Sequence, residues 1–165
     1  MKIGLLDKKH KRDEFDCGNE QLNNYLKYQA GQDMKRKLSA CFVLAESSNN
    51  QILGYYTLSN NSIPLSSFSD DIQKKLPKSY KSIPSTLLGR LAIDNKHQGR
   101  GIGKILLVDA LKRSHDLSKE IGSFAVIVDP IDQEAEAFYK KYDFITLPDS
   151  GKMFIAIKTL NQLFS

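Results

Sequence analysis

Two periods of apolar residues alternate along the chain, one of about two and one of about 3.6, and they predict strands and helices respectively. The period of two runs from Ile3 to Leu6, from Leu38 to Glu46, and from Gln51 to Asn60. Ser47-Ser48-Asn49-Asn50 reads as a hairpin loop, so these early strands are expected to be antiparallel. Between the first two, Leu22, Tyr25, Leu26 and Ala30 fall on one helical face after the turn residues Asp16-Cys17-Gly18-Asn19. Ser59 to Ser69, rich in Ser, Asn and Pro, reads as a loop. Beyond it the pattern predicts a strand over Ser85 to Asp94, a helix over Gly101 to Leu117, a strand over Ser123 to Asp129 and a helix over Asp132 to Lys141. Strands near Phe144 and from Met153 to Lys158 close the chain. This second half is a βαβ unit with a strand pair appended. Gly89, inside an apolar strand, reads either as a neutral small residue or as a bulge.

Length and composition narrow the class. The 165 residues, 41% hydrophobic and 26% charged, fit one globular domain over 1–165 with a sizeable core. No run approaches the ~18 apolar residues of a membrane span, and the apolar run after Lys2 is too short for a secretory signal, so a cytoplasmic protein with no membrane association is expected. Cys17 and Cys41 suggest neither a disulfide framework nor a metal site, and Cys41 reads as a buried reduced thiol. Twenty-four Lys and Arg against nineteen Asp and Glu give a net +5. Two basic clusters, Lys8, Lys9, Lys11 and Arg12 around His10 and then Lys35-Arg36-Lys37, read as solvated patches or as polyanion contacts.

The most informative segment is Gln98-Gly99-Arg100-Gly101-Ile102-Gly103-Lys104, between a predicted strand and the helix carrying Ile102, Ile105, Leu106, Leu107, Ala110 and Leu111. Glycines admit a close backbone approach, and free amides at a helix N-terminus bind anions. A Walker loop would need glycine at 98 and Ser or Thr at 105, where Gln98 and Ile105 stand. A dinucleotide fingerprint needs G-x-G-x-x-G, whereas here the glycines are spaced by twos. Both are disfavoured, and a glycine turn without a ligand remains the plain alternative.

The run Gly89-Arg90-Leu91-Ala92-Ile93-Asp94, then Gln98-x-x-Gly101-x-Gly103, then Phe138-Tyr139 before Tyr142-Asp143-Phe144, resembles motifs A and B of the GNAT N-acetyltransferases. Together with Phe15-Asp16-Cys17-Gly18 and Leu53-Gly54-Tyr55-Tyr56-Thr57-Leu58-Ser59, the chain is similar over nearly its whole length to the GNAT toxins of bacterial toxin-antitoxin pairs. The resemblance implies an α/β (α+β) GNAT acyl-CoA N-acyltransferase fold, with a central mixed, mostly antiparallel sheet flanked by helices. It implies acetyl-CoA as acetyl donor, its pyrophosphate on the backbone of Gln98, Gly99, Arg100, Gly101, Ile102, Gly103 and Lys104, and its pantetheine arm along Leu91, Ala92 and Ile93. Phe138 stands where an aromatic flanks the thioester. Asp132 stands where many relatives carry an Asn that meets the cofactor, or else it caps the helix that follows. Two departures from the family pattern are Pro130 and Asp143; Asp tolerates the left-handed backbone that the usual glycine would adopt at 143.

Acetyl transfer to an amine needs a neutral nitrogen and an acid for the departing thiolate. Tyr139 is the candidate acid, a phenol of pKa about 10, and the resemblance implies the same role. No general base is evident: His10, His97 and His115 read as surface histidines. An α-amine, of pKa about 7.7 to 8.0 against about 10.4 for lysine, needs less help, which fits the aminoacyl-tRNA the resemblance implies. Lys8, Lys9, Lys11, Arg12, Lys35, Arg36 and Lys37 are then candidate phosphate contacts, with Arg90 steering the acceptor end. A small antitoxin partner is implied too, and similar toxins are often homodimers. The competing readings are a GNAT enzyme acting on a small amine, a peptide N-terminus or a protein lysine, and a non-catalytic CoA-binding module.

Overall fold

A computed structural model describes residues 2–164. Strand β1 (Lys2–Leu5) leads to a continuous first helix in three pieces: α1 (Glu20–Asn24), a π-helical turn (Tyr25–Gln29) and α2 (Ala30–Lys35). Then follow β2 (Ala40–Ala45), β3 (Ile52–Pro64), the short α3 (Asp70–Gln73), β4 (Ser82–Ile93), α4 (Ile102–Leu117), β5 (Ala125–Val128), α5 (Gln133–Lys141), β6 (Ile145–Thr146), β7 (Met153–Ala156) and α6 (Ile157–Phe164). The seven strands hydrogen-bond in the order β1-β2-β3-β4-β5-β7-β6. β4 and β5 run parallel over Ser85–Leu87, whereas β1 with β2, β2 with β3, β5 with β7 and β6 with β7 are antiparallel. The sheet is thus mixed and mostly antiparallel, as the pattern of short loops and one helical crossover predicts.

Backbone contacts group the chain into two units, Met1–Ser59 with Leu88–Ala110 and Asn60–Leu87 with Leu111–Ser165. In the first unit, alternation along β3 sends adjacent tyrosines to opposite faces. Tyr55, fully buried, stacks near Tyr25, meets Phe15 edge-on, and donates its hydroxyl to the Leu22 carbonyl at 2.8 Å. That face holds Leu6, Leu26, Ala30, Val43 and Ala92 as one core. Tyr56, also fully buried, stacks on Phe42 and donates to the Asp109 carboxylate of α4. Gly54 lets α4 come this close: a Cβ there would stand 2.8 Å from Leu106 Cδ1 and 3.0 Å from the Ala92 carbonyl oxygen. In the second unit, Phe68 meets Phe124 and Phe154 edge-on over a core of Ile63, Ile83, Ala125, Ile127 and Leu147.

Four sequence expectations are corrected. Ser59 to Ser69 is not all loop: β3 continues to Pro64, a 3-10 turn follows, and Leu65 N–H bonds the Lys81 carbonyl at 2.9 Å. Strand partners override the low β propensity of Ser and Asn, and buried Ile63 anchors the extension. The final strand stops at Ala156, and Ile157, Leu160, Asn161 and Phe164 take helical spacing in α6 instead. That helix overturns the surface reading of His115, which is 3% exposed, bonded through Nε2 to Asn161 Oδ1 at 2.8 Å and set beside Phe164. His10 is also tucked in: its Nδ1 accepts from Asp7 N–H at 3.0 Å, and burial lowers its pKa below the usual 6.5. The His97 side chain, 22% exposed, lies 3.4 Å from the Asp94 carboxylate.

Candidate active site

Within the first unit, β4 ends at Ile93 and the chain reaches α4 through a 3-10 turn and Gln98–Gly101. Gly99 and Gly101 adopt φ of +78° and +77°, a left-handed backbone that side chains resist. An added Cβ at either would meet nothing within 4 Å, so both glycines serve backbone geometry over open space rather than close packing. The first intrahelical bond of α4 recorded from this end is Ile105 N–H to the Gly101 carbonyl at 3.1 Å, which leaves the amides of Ile102, Gly103 and Lys104 unengaged by the helix. Ile102, Leu106, Leu107 and Ala110 are buried and pin the helix, while Ile105, expected on that face, is 45% exposed. Donors, helix dipole and open space fit a pyrophosphate. Along the strand leading to the turn, Ala92 is buried and Leu91 and Ile93 are half-buried.

Within the second unit, Asp132 caps α5: its carboxylate accepts from Ala135 N–H at 2.8 Å. Of the two readings of Asp132, the cap is therefore present. The helix ends in a left-handed turn at Asp143, φ +70°, with Asp143 N–H bonding the Lys140 carbonyl and Phe144 N–H the Tyr139 carbonyl. This is the Schellman pattern, built on Asp at the position where glycine is the usual residue of such a turn. It brings Phe144 against Tyr139, with ring centroids 5.2 Å apart, and Phe138 packs edge-on to Tyr139 and Tyr142. Tyr139 is 7% exposed, and burial raises the pKa of its phenol. Its hydroxyl is hydrogen-bonded to no other described residue, whereas the hydroxyls of the other buried tyrosines, Tyr25, Tyr55 and Tyr56, all are.

The predicted cations divide into two groups. Arg90 places its guanidinium 3.5 Å above the Tyr25 ring, and Tyr25 donates to Asp33 at 2.8 Å. Arg12 reaches the Leu26 carbonyl at 3.4 Å. Both pack against the first helix and are half-buried. Lys8, Lys9 and Lys11 are exposed, as are Lys35, Arg36 and Lys37; Lys37 forms the left-handed end of α2, φ +61°. Arg36 lies with Tyr28, Gln21, Asn24, Gln32 and Asp33 along a cleft of about 690 Å³ on one face of the first helix. The Tyr25–Asp33 pair was not foreseen, because nothing in a single sequence marks two helical residues as partners of a strand arginine. Among the described residues no group of His, Cys, Asp or Glu is arranged to hold a metal ion, and no helix is long and apolar enough to cross a membrane.

Sheet order, glycine turn and capped aromatic helix define an acetyltransferase architecture. Residues 10–155 match the model of the acetyltransferase (GNAT) domain, and the chain belongs to that family. It is 34% identical to the tRNA-acetylating toxin of Mycobacterium tuberculosis over 81% of this chain and 78% of that protein. It superposes with the structure of AtaT complexed with acetyl-methionyl-tRNAfMet at a TM-score of 0.91 and 33% identity, covering 99% of both chains. A tyrosine-to-phenylalanine variant of the AtaT toxin, bound to the C-terminus of the antitoxin AtaR and acetyl-CoA, aligns at a TM-score of 0.82 and 30% identity, covering 99% of this chain and 98% of that one.

Proposed function

We propose that this protein is the toxin of a toxin-antitoxin pair, an acetyl-CoA-dependent N-acetyltransferase that acetylates the α-amino group of aminoacyl-tRNA and thereby inhibits translation. The observation that carries the reading is the amide-lined head of α4, in a chain that aligns end to end with a relative solved with acetylated aminoacyl-tRNA. In this reading residues 1–165 act as one domain in the cytoplasm, and a small antitoxin and a homodimer are its assembly partners.

The backbone of Gln98 to Lys104 would hold the pyrophosphate, Leu91, Ala92 and Ile93 the pantetheine arm, and Phe138 the thioester end. Bound acetyl-CoA supplies an acetyl thioester whose carbonyl carbon accepts the amine and whose carbon–sulfur bond breaks. Tyr139 holds a proton at Oη: burial raises its pKa, so the phenol stays protonated through neutral pH and donates a hydrogen bond toward the sulfur as negative charge develops there. The balance closes with the amine losing one proton and the thiolate gaining one. Lys35, Arg36 and Lys37, together with Lys8, Lys9 and Lys11, are exposed cations available for phosphates. Arg90 packs over Tyr25 on the first helix, and its guanidinium N–H groups are the candidates to steer the acceptor end.

Transfer of labelled acetyl to charged tRNA, with deacylated tRNA as control, tests the reading. Label on charged tRNA alone, reduced about 100-fold or more in Tyr139→Phe, is expected. Unlabelled charged tRNA alongside acetyl-CoA binding would defeat the substrate assignment and redirect the search to small amines and peptides.

A further inference from the structure

The Phe15-Asp16-Cys17-Gly18 segment takes no part in the chemistry above, yet it is bonded to the approach of the glycine turn. The Asp16 N–H donates to Asp94 Oδ2 at 3.1 Å, and the Asp16 carbonyl accepts from Asn95 N–H at 2.7 Å. Asp94 is 5% exposed; its other oxygen accepts from Lys96 N–H at 2.9 Å, and its own N–H bonds the Leu53 carbonyl of β3 at 2.8 Å. Asn95 Oδ1 accepts from Gln98 Nε2 at 3.0 Å, and the same Nε2 lies 3.3 Å from the Ile93 carbonyl. The Gln98 side-chain amide is therefore tied to the residues that precede the turn. Gly18, φ +86°, is where a Cβ would stand 3.3 Å from Asn95 Oδ1. On the other side, the Asp16 carboxylate accepts from Gly18 N–H and from Asn23 Nδ2, both at 2.9 Å, and Asn23 Oδ1 accepts from Cys17 N–H at 2.9 Å. One clasp thus joins the first turn of the first helix to the residues that enter the phosphate turn.

We infer that the Phe15–Gly18 segment, acting through Asp94 and Asn95, is a positioning element for the pyrophosphate of the acetyl donor: it sets where the Gln98–Lys104 amides stand. The inference rests on the proposed function. Its reach is limited to the phosphate end, because the clasp ends at Gln98; an acyl donor without a pyrophosphate would gain nothing from it. Asp94, Asn95 and Asp16 are assigned as positioning residues.

The test compares CoA binding by calorimetry with use of acetyl-CoA and of acetyl-pantetheine, which lacks the pyrophosphate. Asn95→Ala removes the acceptor that holds Gln98, and CoA affinity is expected to fall about 5- to 10-fold, one hydrogen bond's worth. The ratio of kcat/KM for acetyl-CoA over acetyl-pantetheine is expected to fall by the same factor. Asn95→Asp retains the Oδ1 acceptor and is expected to restore both once salt screens its added charge from the pyrophosphate. Because each kcat/KM scales with the folded fraction, their ratio is insensitive to partial unfolding, and Asp94→Asn can be read in the same way even where it destabilises the chain. Unchanged CoA affinity in Asn95→Ala, or equal losses with the two donors, would overturn the clasp. Absence of CoA binding in the unaltered protein would instead overturn the proposed function.

Discussion

Tyr25 and Tyr139 are both buried tyrosines whose phenols are pushed above their ordinary pKa, and they arrive there by different routes. At Tyr25 burial acts together with the Asp33 carboxylate, which accepts the hydroxyl's hydrogen bond, while Arg90 covers the ring. At Tyr139 burial acts without such a partner, among Phe138 and Phe144. A hydroxyl already bonded to a fixed acceptor is a structural group; a protonated hydroxyl that no other residue engages is available to a substrate. In the proposed function this difference separates a tyrosine that organises the first helix from the candidate acid, although the two are indistinguishable as letters.

The largest expected effect on this contrast is kinetic. Tyr139→Phe should lower kcat about 100-fold or more while the Kd for CoA stays within about twofold, because the ring that packs is kept and only the hydroxyl is lost. Tyr25→Phe should keep kcat within about threefold. Equal losses in the two variants would erase the distinction. A smaller effect is expected on stability in alkali. The Tyr25 phenol, ordinarily near 10, is pushed up to about 12 in the fold. Its protonated form is favoured by folding, so this contribution is fully present below pH 10 and is lost as pH rises from 10 toward 12, at roughly 1–3 kcal/mol. Unfolding followed by circular dichroism across that range should show the fall, and Tyr25→Phe should make it shallower. The smallest expected effect concerns the exposed cations at the end of the first helix. Replacing Lys35, Arg36 and Lys37 by Ala should flatten the dependence of log affinity for charged tRNA on log salt by about 1 to 3. An unchanged slope would remove that patch from the substrate path.

Much of the fold was legible because it follows from local periodicity. The early hairpin, the helix after Asn19 and the βαβ unit lie where alternation and helical spacing predict them, and Asp143 takes the left-handed turn expected of it. The glycine turn was legible for the same reason: Gly99 and Gly101 act through backbone conformation, which residue type alone discloses. What was missed depended on partners distant in sequence. β3 extends through Ser and Asn because neighbouring strands hold it, and His115 is buried because α6 folds from residues that read as a strand. That Arg90 stacks over the Tyr25 ring was hidden for the same reason.

The sequence by itself determined the family resemblance, the order of elements from β1 to β7 apart from α3, the glycine spacing of the Gln98–Lys104 turn and the choice of Tyr139 as candidate acid. Only the tertiary structure decided which polar groups were already engaged: Asp94 by Asp16, Gln98 by Asn95, Tyr25 by Asp33, and Asp132 by the first turn of α5. The physical reason is range. Backbone conformation and helical period are set within a few residues, whereas the hydrogen bond between Asp16 and Asp94 pairs groups 78 positions apart, and only folding brings them to 3.1 Å.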